Sequence, residues 1–147
     1  MAGKTTKLTE VNTDKLSHKI KPAKMTVVAW QFALRRQFGQ GNIFEVKNLG
    51  TKPVYSDFDV YNAESDKHYK VAIRSQDNSL NFCTCNDFKT NGLNTCKHIE
   101  YVLHQIRNYP PYHKILLAGY QPDYSSIYLK YGAVREVKIK IDRKSVV

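Results

Sequence analysis

The sequence predicts an α+β fold: a small antiparallel sheet ending in a β-hairpin, an amphipathic helix behind it, an N-terminal helix and a C-terminal β-hairpin. Three observations predict it. Tyr69, Val71 and Ile73 alternate with Lys70, Ala72 and Arg74, the period of a half-buried strand. Ile99, Val102, Leu103 and Ile106 fall at i, i+3, i+4 and i+7, the stripe of a helix with one buried face. Val137, Ile139 and Ile141 alternate again with Glu136, Lys138 and Lys140, on the far side of Gly132 from a second short run over 125–131.

Residues 1–24 hold much Lys, Thr and Asn and few large apolar side chains, which predicts a basic, mostly disordered tail. Gly3-Lys4-Thr5 looks like the end of a phosphate loop, but the preceding strand and first glycine are missing, so the match is chance. Thr26 suits an N-cap for a helix over 27–37, with Val27, Trp30, Leu34 and Phe38 at helical spacing and Gly39 with Gly41 as its stop. Arg35 and Arg36 then lie on a solvated face, where a phosphate could also reach them. Ile43–Val46 reads as a short strand, Asn48, Gly50 and Pro53 as a turn, and Phe58 with Val60 as a second strand, Tyr55 lying near its start. Gln76–Ser79 turns the chain of 68–74 into a hairpin, after which Leu80 and Phe82 share one face and Asn81, Cys83 and Cys85 the other. The helix over 96–108 ends at Pro110-Pro111, and 113–118 forms a last helical turn. The organisation expected is a tail over 1–24, a domain over 25–118, and a linker with a hairpin extension over 119–147 that suits the start of a further domain.

Charge is distributed unevenly. The net charge is +10, of which residues 1–24 and 125–147 each supply +4. Two basic ends favour solubility and attract a polyanion such as nucleic acid. No apolar run resembles a signal peptide or approaches the roughly 20 residues of a membrane span, so a soluble, cytoplasmic protein is expected. The cysteines number three, which a closed disulfide framework would leave unbalanced, and in a reducing compartment a Cys/His cluster reads as metal-binding.

All three cysteines lie in the sixteen residues 83–98, in the pattern Cys83-x-Cys85, ten residues, Cys96-x-His98. Strand positions i and i+2 share a face about 6.6–6.8 Å apart, whereas two sulfurs on one tetrahedral zinc must lie about 3.8 Å apart, a gap that a bend at the strand end can close. Helix positions i and i+2 diverge, so Cys96 must sit at or just before a helix start with His98 in the first turn, and Asn94 or Thr95 is placed to cap it. Four ligands complete a tetrahedral shell with no open position, which predicts one structural Zn2+. Three thiolates and a neutral imidazole leave that site at −1, and Arg74, Lys89 and Lys97 are near enough in sequence to offset the charge or to meet nucleic acid. Plainer alternatives are three buried free thiols beside an ordinary histidine, or a redox pair Cys83-x-Cys85 that leaves Cys96 and His98 idle. His104, six residues beyond His98, is too far round the helix to be a ligand of first choice.

C-x-C and C-x-H between a hairpin and an amphipathic helix resemble the SWIM zinc finger, with Cys83, Cys85, Cys96 and His98 at the ligand positions. Outside the finger, Trp30-Gln31, Ala33–Arg36, Tyr69–Arg74, Asp87-Phe88, Ser125–Leu129 and Tyr131–Ala133 resemble the N-terminal region of prokaryotic Swi/Snf-type helicase-like ATPases. The resemblance implies a ββα zinc finger that binds DNA or protein beside an ATPase motor. No motor motif follows it here, and no paired carboxylates or Ser-His-Asp set stands out, so a binding module without a small-molecule substrate is expected rather than an enzyme.

Overall fold

Alternation and helical stripes become four strands and three helices around one core, with a short extra helix and a separate hairpin. The computed structural model describes residues 15–122 and 126–140. Most of the tail expected over 1–24, and the ends of the hairpin expected over 125–142, lie outside the described residues. Helix α1 spans Val27–Gly41, and Thr26 Oγ1 caps it by accepting from the Ala29 amide at 3.1 Å. Strands β1 (Glu45–Asn48), β2 (Asp57–Asn62), β3 (Lys67–Ala72) and β4 (Phe82–Cys83) form an antiparallel sheet in sequence order. Helix α2 is a five-residue turn over Asn86–Thr90, α3 spans Lys97–Asn108 and α4 spans Pro110–Ala118. Strands β5 (Ser126–Lys130) and β6 (Glu136–Lys140) make the two-stranded hairpin.

Register decides which side of the sheet is buried. Phe58 pairs with Val71, and Val71 also pairs with Cys83, so these side chains share the inner face. The stripe Ile99, Val102, Leu103 and Ile106 closes over that face and is at most 3% exposed. Asn81, Cys83 and Cys85 therefore lie on the buried side, and Leu80 and Phe82 are only partly covered.

Four sequence expectations are corrected here. The stripe on α1 is not a buried face: Leu34 is buried, but Val27 is 59% and Phe38 41% exposed. Gly39 does not stop the helix. It lies inside α1, where a Cβ would stand 2.8 Å from the Lys97 carbonyl and 2.9 Å from Glu100 Cβ, so its missing side chain lets α1 and α3 touch backbone to side chain. Pro110 and Pro111 start α4 as well as ending α3, because the first helical positions need no amide donor. Ile43 is 91% exposed and outside any strand, whereas Phe44 turns inward and β1 begins at Glu45.

Residues 16–17 are tied to α1: Gln37 exchanges two hydrogen bonds with the Leu16 backbone, and Trp30 Nε1 donates to the Ser17 carbonyl at 3.0 Å. Gly39→Ala is expected to lower stability by about 1–2 kcal/mol, because forced overpacking outweighs the roughly 1 kcal/mol gained in helix propensity. Gly41→Ala, with nothing within 4 Å of its Cβ, serves as the comparison and should be neutral or stabilising in the same thermal melts.

Candidate metal centre

Cys83 arrives on β4, held opposite Val71, and the chain bends directly after it. Cys85 is the N-cap of α2, and its Sγ accepts from the Phe88 amide at 3.4 Å. This short helix has no apolar periodicity to reveal it; its one buried side chain is Phe88, which is 2% exposed and edge-on to Phe82 at 5.4 Å. Gly92 and Asn94 then take positive φ, turning the loop back to the start of α3. Cys96 itself is the N-cap of α3, in place of the Asn94 or Thr95 that the sequence suggests, and His98 falls in the first turn.

These elements bring Cys83, Cys85, Cys96 and His98 close enough together to hold a metal ion: their ligand atoms all lie within 4.8 Å of one another, and all four residues are buried. His98 turns Nδ1 toward the sulfurs, 3.8 Å from both Cys83 Sγ and Cys96 Sγ. That separation is close to the nitrogen-to-sulfur edge of a tetrahedral zinc shell, about 3.6 Å. The ring is fixed by stacking on Tyr69 at 4.1 Å and by the tilted Phe44 ring at 5.3 Å. Its Nε2 is buried with no hydrogen-bond partner among the described residues, so the polar contacts of the imidazole lie on the cysteine side, through Nδ1.

The donor chemistry also fits a cation. Cys83, hydrogen-bonded to Cys85, is pushed up to about 12. Burial, then the neighbouring sulfurs, pushes Cys96 up as well. Cys85 is held well below the usual thiol range because Cys83 and Cys96 both hydrogen-bond to its thiolate. A bound divalent ion would act against the upward shifts of Cys83 and Cys96 and favour the thiolate form of all three. No disulfide competes for the thiols, which are all free.

Glu100 supports the centre and was not anticipated from sequence. It is 1% exposed, and Oε1 accepts from Thr95 Oγ1 at 2.8 Å and Asn78 Nδ2 at 2.9 Å. Oε2 lies 3.5 Å from Arg36 Nε, near enough for ion pairing though it accepts no hydrogen bond. Asn78 Oδ1 accepts from Asn81 Nδ2, and Asn81 Oδ1 takes the Arg74 and Ser75 amides. One chain of polar contacts therefore joins α1, the loop before β4, and the residue preceding Cys96. The signal in the sequence is an acid at the margin of the apolar stripe of α3, four residues after Cys96.

The cations singled out beside the cysteines have different fates. Arg35 makes a two-pronged contact with Asp87, Nη2 to Oδ1 at 2.8 Å and Nε to Oδ2 at 3.2 Å, clamping α1 to α2, and it also donates to Gln31. It is not on a solvated face: its side chain is 19% exposed, against 51% for Arg36. Arg74 pairs with Asp57 at 2.8 Å, donates to the Ser56 carbonyl and lies over the Tyr120 ring, away from the cysteines. Lys89 is exposed on α2 and Lys97 half-buried on α3. His104 stands outside the cluster, hydrogen-bonded to Asn108. No helix among the described residues is long and apolar enough to cross a membrane. No protein-family model, curated protein or solved structure matches the chain.

Proposed function

We propose that the chain is a SWIM-type zinc-binding module, in which Cys83, Cys85, Cys96 and His98 hold one structural Zn2+. The convergence of these four buried donors carries the reading. Three thiolates and an imidazole are a donor set that zinc takes in tetrahedral, closed sites, and they leave no position for a reacting water. The module is a binding element rather than an enzyme. Native mass spectrometry of protein purified without added metal tests this: one zinc per chain is expected, and a protein that stays metal-free when zinc is supplied overturns it.

The module's partner, on this reading, is DNA, met through phosphates more than base edges and in the company of a helicase-like ATPase. A net charge of +10 with its excess at both ends supports it. Because Arg35, Arg36 and Arg74 are engaged by Asp87, Glu100 and Asp57, phosphate contact falls to Lys89, Lys97 and the lysine-rich ends. Affinity for DNA is expected to fall steeply as salt rises, measured by fluorescence anisotropy.

A second reading, docking onto a protein, is favoured by the β5–β6 hairpin. Ile127 pairs with Ile139 and Leu129 with Val137, which puts all four on one face, from 41% to 73% exposed. Absence of any binding to single- or double-stranded DNA at low salt would select this reading over the first.

A further inference from the structure

A cleft of about 660 Å³ opens between α1, the start of β3 and the first turn of α3. Its size is within the range of sites that enclose a ligand group of several rings, roughly 300–1,000 Å³. Leu34 and Phe38 line it from α1, Tyr69 from β3 and His98 from the metal centre, with Lys67 and Lys97 among the same walls. Arg35 also borders the cleft, but its charge is already met by Asp87. Neither Lys67 nor Lys97 has an ion pair among the described residues. Phe38 exposes 41% of its surface, an apolar ring left in water, while Tyr69 is held rigid by its stack on His98.

Two ammonium groups with no ion pair among the described residues and an exposed aromatic ring in one cleft suit a ligand that carries negative charge and flat apolar faces together. We propose that this cleft seats a segment of single-stranded nucleic acid, a base lying against Phe38 and the adjoining phosphates on Lys67 and Lys97. The inference rests on the nucleic-acid reading above and narrows it to unpaired strands. A duplex keeps its base faces inside its own stack and offers the cleft only phosphates, so Phe38 would gain nothing from it. A single strand presents both, and base-to-aromatic stacking tolerates any sequence.

The test is a titration of the zinc-loaded full chain with a fluorescent oligo-dT and with a duplex of equal length, over a range of salt. The oligo-dT should bind more tightly than the duplex. Phe38→Ala and the milder Phe38→Leu should each weaken oligo-dT binding on the order of tenfold, with zinc content and melting temperature retained. Replacing Lys67 and Lys97 together by Ala should flatten the slope of log affinity against log salt by about 1.4, two single-strand phosphate contacts at about 0.7 each. Lys47→Ala, on the exposed edge strand β1 and outside the cleft, should leave affinity for the oligomer unchanged. An unchanged slope in the double variant, or duplex binding as tight as oligo-dT with no effect of Phe38→Leu, overturns the cleft assignment and leaves nucleic-acid binding standing. Failure of the unaltered protein to bind either nucleic acid at low salt overturns both.

Discussion

Removal of the metal is expected to unfold the half of the domain from β4 through α3. The four proposed ligands belong to the buried core, at most 5% exposed, beside Val71, Phe88 and Ile99. Between Cys85 and Cys96, the only large side chain holding the loop inside the core is Phe88. Structural zinc contributes roughly 10–16 kcal/mol of apparent binding free energy at neutral pH, more than such a loop can recover from one aromatic ring. Chelation, or Cys96→Ala, should therefore abolish most of the helical circular dichroism of α3 and shift the fluorescence of Trp30 as α1 loses its partner. A chelated protein with its native spectrum and melting temperature would sink the structural-zinc proposal.

The same site makes a pH prediction with a definite sign. In the chain unfolded by metal loss all three thiols return to the ordinary range of about 8.5, so the metal-free protein holds about three thiol protons at pH 7. Metal binding expels them. Affinity should then rise with pH and fall as acid returns the protons, and calorimetry in buffers of different ionisation enthalpy should count about three protons released per ion at pH 7. Release of none would mean that the thiols do not ligate.

Glu100→Ala is expected to cost about 3 kcal/mol with the metal bound. It strands two buried donors, Thr95 Oγ1 and Asn78 Nδ2, each worth about 1–3 kcal/mol when left unpaired. Arg36 contributes less, since half of its side chain already meets water. Glu100→Gln keeps an oxygen for both donors and should lose about 1 kcal/mol or less. Denaturant melts of the two variants at saturating zinc separate the explanations: equal losses would show that the charge, not the acceptor, is what the fold uses.

Much of this was legible along the chain. The alternation over 69–73 and the stripe over 99–106 report burial on one face of a local element, and local elements follow their period. The C-x-C and C-x-H spacings placed Cys83 and Cys85 at a bending strand end and His98 in the first turn of a helix, where the structure has them. Less of α1 could be read, because of its four apolar residues at helical spacing only Leu34 is buried, and the other buried position, Gly39, has no side chain to signal it. Helix α2 is too short to show a period at all.

By itself, then, the sequence determined the class of fold and the four residues that cluster as candidate donors, since both depend on spacings of a few residues. Tertiary structure alone decided which cations are spent. Arg35 meets Asp87 across 52 positions, and Arg36 meets Glu100 across a helix contact that exists only because Gly39 has no side chain. A charge on a sequence carries no address; its partner is whichever carboxylate the packing brings within reach, and so the lysines without an ion pair among the described residues emerge only once α1, β3 and α3 have closed around the cleft.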